Sequence, residues 1–338
     1  PAGLKVVSEQ AFHYCEALVD CVLPAGLERV ENSGFFGCEE WTGVDNIPSS
    51  VTFIGDYAFA ECKGTKLVIP EGNTSIGKFA FYGYEETLNE ILLPTTLRTL
   101  GDSAFAWAKN VKEIVIPEGV TSIGEECFGI TNSLERLTLP STLKSIGKDA
   151  FNGCELTSVV FEGENLAEIG ESAFAYCTKF PEITLPEGLK VIGKAAFQGT
   201  SAIKSINIPA SVESIGESAF STCSELTEVN FADDNESQLK TIGKKAFYQC
   251  VRLGTLDIPE GVTTIGDQAF RASGGLKRVY LPSTLTEFGS SAPAVFSDVN
   301  SANLSGTDEL LSITVEDGNP VYSSKNGLLY TADGETLL

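Results

Sequence analysis

A short motif, Ile-Gly-x-x-Ala-Phe, returns at a nearly constant interval along the chain and constrains its fold more than any other feature. Thirteen phenylalanines align with this motif or its variants, and successive ones are 22 to 27 residues apart, most often 23. Such a period is typical of solenoids, whose units are too small to bury their own apolar faces and are stacked on one another. Besides Phe12, Phe35 and Phe296, we expect ten aligned residues to form a continuous internal spine: Phe59, Phe81, Phe105, Phe128, Phe151, Phe174, Phe197, Phe220, Phe247 and Phe270.

Residues 134–154 show how one unit is built. Leu137 and Leu139 alternate with a polar residue, which predicts a short strand with one buried face, and Pro140 ends that strand. Gly147 recurs in most units and indicates a bend or a close approach that a Cβ would obstruct. We expect the Gly-x-x-Ala-Phe segment to form one tight helical turn, with the small and the large side chain facing inward.

The full pattern, Leu-x-x-Ile-x-Leu-Pro-x-x-Leu-x-x-Ile-Gly-x-x-Ala-Phe-x-x-Cys, resembles the BspA-type, or treponemal-type, leucine-rich repeat family. The resemblance implies a right-handed, β-rich leucine-rich repeat solenoid. Stacked parallel strands would line its concave face, and short 3-10 or helical turns and loops its convex face. It also implies a bacterial or protist surface protein used in adhesion. It transfers no catalytic residue, because the family pattern has none.

We interpret residues 1–338 as a single leucine-rich repeat solenoid of about 13 units. Residues 1–17 align with the second half of a unit and are assigned as a partial first repeat. An insertion occupies 297–309, and 310–338 are similar to a variant C-terminal repeat of the same family. Inserted loops on solenoids are common binding elements, but they are also places where insertions are simply tolerated. If units are absent at both ends, open strand edges predict weak end-to-end self-association.

The chain carries a formal charge of -23, from 23 basic and 46 acidic residues. Long-range repulsion therefore disfavours nucleic acid and anionic membrane surfaces, and favours neutral or basic partners. The longest apolar runs are too short to cross a bilayer, so we expect no direct membrane insertion. We predict an extracellular or cell-surface location, with any leader or anchor outside this segment.

Seven of the nine cysteines lie three residues after an aligned phenylalanine, which predicts one inward column; Cys21 and Cys127 are assigned to other core positions. A small apolar thiol suits such a position, although stacked pairs would also lie within disulfide distance. No Cys-x-x-Cys occurs, so we expect neither a metal site nor a cofactor. His13 is the only histidine and is expected to face solvent, so the chain is predicted not to be an enzyme.

The central residue of each predicted strand should point outward on the concave face. Val68, Leu92 and Val115 form an apolar stretch of this row, which indicates a contact surface or reflects ordinary β-propensity. The candidate partner-binding residues in the later repeats are Asn207, Asn230, Asp257 and Tyr280. The resulting hypothesis is a binding or adhesion module for a host-matrix protein, a cell-surface protein or a glycan. The alternative is a structural spacer within a larger surface protein.

Overall fold

The computed structural model describes residues 3–84, 87–233, 236–290, 295–296 and 310–338. It contains two compact units, Pro1–Leu166 (unit 1) and Ala167–Leu338 (unit 2), each built from the same repeat. The predicted inserted loop at 297–309 lies outside the described residues, and the single body of about 13 units stays a prediction. Each repeat contributes short parallel strands that stack on those of its neighbours, which is the β-solenoid that the resemblance implies.

Unit 1 contains two kinds of parallel strand and one 3-10 helix, Gly43–Asn46. Two-residue strands, which we call ladder strands, pair successively along the unit. They are β1 (Val6–Val7), β2 (Arg29–Val30), β3 (Phe53–Ile54), β5 (Ser75–Ile76), β7 (Thr99–Leu100), β9 (Ser122–Ile123) and β11 (Ser145–Ile146). Longer strands, which we call face strands, pair as β4–β6 and β8–β10–β12. They are β4 (Lys66–Val68), β6 (Glu90–Leu92), β8 (Glu113–Val115), β10 (Arg136–Leu139) and β12 (Ser158–Phe161).

Unit 2 repeats this arrangement. Its ladder strands are β13 (Glu168–Ile169), β14 (Val191–Ile192), β16 (Ser214–Ile215), β18 (Thr241–Ile242), β20 (Thr264–Ile265) and β22 (Glu287–Phe288). Its face strands pair as β15–β17 and β19–β21–β23, and all of these pairings are parallel. They are β15 (Ser205–Ile208), β17 (Glu228–Phe231), β19 (Thr255–Asp257), β21 (Arg278–Leu281) and β23 (Ser312–Val315). An antiparallel hairpin, β24 (Tyr322–Lys325) and β25 (Leu328–Thr331), follows them.

The ladder strands were not expected from the sequence, which predicted only a bend at this place. They form because register pairs like with like: Ile76 lies beside Leu100, and Ile123 beside Ile146. These apolar residues are all at most 4 % exposed, whereas the residue before each of them is accessible to solvent. In a strand of only two residues, the alternation of buried and exposed side chains is too short to be recognised from the sequence.

A glycine follows eleven of these strands, from β3 onward, and is explained by close approach of successive repeats. A Cβ on Gly77 would lie 2.4 Å from the carbonyl carbon of Gly55, and one on Gly147 would lie 2.8 Å from that of Gly124. Real Cβ contacts are not this short, so the backbones could not come together around alanine. The predicted close approach is therefore present.

The aligned phenylalanines form columns of stacked rings inside each unit. In unit 1, from Phe12 to Phe151, successive ring centroids are 4.9–5.8 Å apart and the ring planes differ by 2–13°. In unit 2, from Phe174 to Phe296, the corresponding values are 5.3–5.8 Å and 4–15°. The ten phenylalanines predicted as the spine are all buried. Each ring fills the core and also forms part of the contact between repeats.

The segment around each spine phenylalanine is not the helical turn that the sequence predicted. In twelve repeats, the second residue before and the second residue after the phenylalanine have φ between 52° and 86°. These left-handed residues interrupt a right-handed helix. They also turn alternate backbone N–H groups toward the next repeat, as in Phe59 N to Ala80 O, 2.9 Å, and Phe81 N to Ala104 O, 2.9 Å. The turns therefore provide a second series of hydrogen bonds between repeats.

The hairpin of β24 and β25 lies beside the last face strand of unit 2. Its two-residue turn, Asn326-Gly327, has positive φ at both positions, as a type I′ turn requires. The backbone N–H of Ile313 donates to Gly327 O at 2.9 Å, and the rings of Tyr322 and Phe288 are 4.8 Å apart. The hairpin thus packs against β23, at the edge where the sequence predicted an open strand. End-to-end self-association stays a prediction.

Candidate partner-binding surfaces

The face strands of unit 1 present the apolar stripe that the sequence predicted. Val68, Leu92 and Val115 are 42 %, 44 % and 55 % exposed, while the residue preceding each of them is buried. Val68 is in register with Leu92, and Val115 with Thr138. We call Val68, Leu92 and Val115 the apolar stripe; about half of each residue is left open to solvent by the described part of the chain.

A row of ion pairs that the sequence analysis did not identify borders this stripe. Lys66 pairs with Glu90 at 2.8 Å, and Arg136 with Glu113 at 2.8 Å. Each charged residue lies two positions from a central residue of its strand and so points to the same face. Exposed pairs contribute little to stability, but they give the stripe a charged margin of both signs.

In unit 2 the corresponding face is polar. Asn207 and Asn230 are in register, and Asn230 Nδ2 donates to Asn207 Oδ1 at 3.0 Å. Asp257 is in register with Tyr280, which is 39 % exposed. Pairing of face strands is interrupted between β17 and β19, where a cleft of about 300 Å³ is lined in part by Asn230 and Asp257. The structure thus places all four predicted residues on one face of unit 2.

The turn segments of unit 1 carry a group of aromatic side chains at their surface, which sequence reasoning missed. We call it the turn-face cluster, and it consists of His13, Tyr14, Phe36, Tyr57, Phe79 and Tyr82. Neighbouring ring centroids are 4.5–5.8 Å apart, and none of the six residues is fully buried. The sequence signal was present, because aromatic residues recur beside the spine positions in the first four repeats.

A cleft of about 430 Å³ adjoins this cluster. Its lining includes Glu39, Glu61 and Lys63 together with Tyr82, which belongs to the cluster. Burial raises the pKa of the Glu61 carboxyl, and the negative charge of Glu39 raises it further. The nearby ammonium of Lys63 pairs with Glu40 at 2.7 Å instead.

All nine cysteines are free thiols, and seven of them are buried. At least five donate from Sγ to the carbonyl oxygen of the aligned phenylalanine one repeat earlier, at 3.1–3.5 Å: Cys38, Cys62, Cys154, Cys223 and Cys250. Tyr84 and Ser273 make the same bond from the same position at 2.8 Å. The position accommodates a hydrogen-bond donor that fits the core without requiring one, since the buried Ala108 occupies it as well. The sequence indicated only that small side chains suit it.

Two cysteines depart from the predicted burial. Cys15 is exposed although it was assigned to the inward column, because no described repeat lies before it to cover it. Cys21 was assigned to a core position and is only partly buried. Among the buried thiols, loss of solvation raises the pKa of Cys223 to about 12, so this thiol stays protonated at neutral pH.

The described residues do not assemble an obvious reactive site. His13 is exposed, as predicted, and its ring contacts Tyr14 and Phe36. Within the described ranges, no group of three or more His, Cys, Asp or Glu residues could hold a metal ion. Across the same part of the chain, no helix has the length and apolar character needed to span a bilayer.

The stacked parallel strands, the buried phenylalanines and the short period define a leucine-rich repeat protein. The sequence profile of the BspA type leucine-rich repeat region matches residues 5–128, 98–227 and 190–315. The chain therefore belongs to the BspA-type leucine-rich repeat family.

Solved structures are similar to this chain. A leucine-rich repeat protein from Bacteroides ovatus is 28 % identical with a TM-score of 0.74, and the match covers 86 % of this chain and 73 % of that one. A leucine-rich cell surface protein from Faecalibacterium prausnitzii is 23 % identical with a TM-score of 0.50, covering 90 % and 84 % of the two chains. No curated protein is significantly similar in sequence.

Proposed function

We propose that the chain is a non-enzymatic adhesion module on a bacterial surface and that it holds a protein partner on the face strands of unit 1. The apolar stripe is the observation that carries the proposal. Surface location and adhesion are the roles that the family implies, and a solved relative of similar fold is described as a cell surface protein. The net charge of -23 favours a partner that is neutral or basic.

The stripe offers a modest but specific source of binding energy. Complete burial of a valine or leucine side chain is worth about 1.5–3 kcal/mol, and these residues are roughly half exposed. Each would therefore contribute about 1 kcal/mol when a partner covers it. The pairs Lys66–Glu90 and Glu113–Arg136 would orient that partner rather than supply most of the affinity.

The test replaces the stripe without disturbing the strands. In the triple variant Val68→Thr, Leu92→Thr, Val115→Thr, threonine keeps the β-propensity and removes apolar surface. The control variant Val19→Thr, Val321→Thr removes exposed valine surface outside the face strands. Binding to a panel of purified extracellular-matrix proteins is measured by surface plasmon resonance.

We expect the triple variant to bind at least tenfold more weakly, while the control keeps its affinity. Unchanged affinity of the triple variant for every bound partner would show that the stripe is not the site. If the unaltered chain binds none of the matrix or cell-surface proteins tested, the structural spacer becomes the better explanation.

A further inference from the structure

The turn-face cluster is not explained by the needs of the core. Tyr14, Tyr57 and Phe79 have φ of 53°, 55° and 54°, in the left-handed region that bulky residues rarely adopt. Left-handed backbone costs about 1–2 kcal/mol per residue, and an aromatic contact offsets about 0.5–1.5 kcal/mol of that. Equivalent positions in other repeats hold Ser103 and Asp149, so the fold does not require aromatic rings there.

The cleft beside the cluster carries two carboxylates without a cationic partner among the described residues. Glu61 lies directly against the cluster, since its backbone N–H donates to Tyr82 O at 2.8 Å. Gly83 keeps the cleft open, because a Cβ at that position would lie 3.1 Å from Glu61 Cγ. Glu39 faces the same cleft.

We propose that this cleft binds an arginine or lysine side chain of a partner protein, with the flanking apolar residues of that partner lying on the turn-face cluster. Charge complementarity argues for a cationic occupant, because Glu39 and Glu61 both line the cleft, whereas Lys63, which also lines it, is paired with Glu40. The ring of Tyr82 adds the aromatic surface that guanidinium groups prefer. This surface consists of turns and is separate from the apolar stripe, so the two proposals can fail independently.

The experiment measures fluorescence anisotropy of a labelled peptide, Gly-Leu-Arg-Leu-Gly, with the full chain at peptide and protein concentrations up to millimolar. A matched peptide carries citrulline in place of arginine and so lacks only the charge. The test variant is Glu39→Gln, Glu61→Gln. The control variant, Glu162→Gln, Glu164→Gln, removes the same charge from exposed positions of unit 1.

We expect the test variant and the citrulline peptide each to weaken binding at least fivefold, and the control variant to change it less than twofold. As the pH is lowered, the unaltered chain should lose its affinity for the arginine peptide at a higher pH than it would if Glu61 titrated as an ordinary carboxylate, because the pKa of Glu61 is raised. Equal weakening by both variants would show general attraction to an acidic protein and overturn the proposal. So would absence of arginine-peptide binding, or binding only of a neutral oligosaccharide.

Discussion

The contact between successive glycines gives the sharpest prediction for stability. In Gly243→Ala, the new Cβ would lie 2.6 Å from the carbonyl carbon of Gly216 and 2.7 Å from the backbone nitrogen of Glu217. Ordinary contact begins near 3.4 Å, so the two repeats would have to separate locally by about 0.8 Å. The bond from Gly243 N to Ile215 O, now 2.8 Å, would then be lost or severely weakened.

The expected cost combines overpacking, about 1–3 kcal/mol, with a buried backbone bond worth about 1 kcal/mol. We therefore expect Gly243→Ala to lower the free energy of unfolding by about 3 kcal/mol. Gly254→Ala is the matched control, because its Cβ would meet only Thr227 O at 3.9 Å and its φ is not left-handed. That variant should lie within about 0.5 kcal/mol of the unaltered chain, or be slightly more stable.

The assay is urea unfolding followed by far-UV circular dichroism, with the slope of the transition compared between variants. A decrease confined to Gly243→Ala would support the close approach of the backbones. If Gly243→Ala and Gly254→Ala were equally stable, the reasoning from repeat spacing would be refuted.

Three further predictions concern the spine, the thiols and the surface carboxylates. Phe128→Ala should lower the free energy of unfolding by about 3–5 kcal/mol, because its buried ring stacks on rings 5.3 and 5.5 Å away; a loss below 1 kcal/mol in urea unfolding would contradict this. A thiol reagent should modify Cys15 rapidly and Cys223 only after unfolding, as mass mapping of the native protein would show; fast labelling of Cys223 would argue against its burial. Hydrogen bonds from Ser141 lower the pKa of Glu118 in the folded protein. The ionised carboxylate therefore adds stability above the pKa that Glu118 has in the unfolded chain, and this stability is lost as the pH falls through the pKa of the folded state. The gap in urea midpoint between the unaltered chain and Glu118→Gln should therefore close on acidification, and a gap that widens would oppose the assignment.

The features that recur once per repeat could be predicted from the sequence. The spine phenylalanines and the close-packed glycines recur in most repeats, and only stacking places such residues over one another. Exposure of Val68, Leu92 and Val115 followed from strand alternation alone. Their role in binding did not follow, because an exposed valine fits a strand whether or not a partner covers it.

Other features escaped because their cause is local geometry that residue identity does not report. Left-handed φ is found at Ser218, Lys245 and Gln268, none of which signals that conformation as glycine would. The hydrogen bonds that Cys250 and Ser273 donate from the same repeat position become visible only when the acceptor one repeat away is located. That Glu39 and Glu61 line the same cleft likewise depends on how different turns pack together.

The like-on-like register of successive turns has an evolutionary consequence. Since benzyl rings meet benzyl rings and glycine meets glycine at most junctions inside a unit, a whole period could be duplicated or excised there and the new junction would reproduce the old one. Recombination within such a gene would change the reach of the molecule while leaving each interface intact. The number of repeats can thus change without a new kind of interface having to evolve.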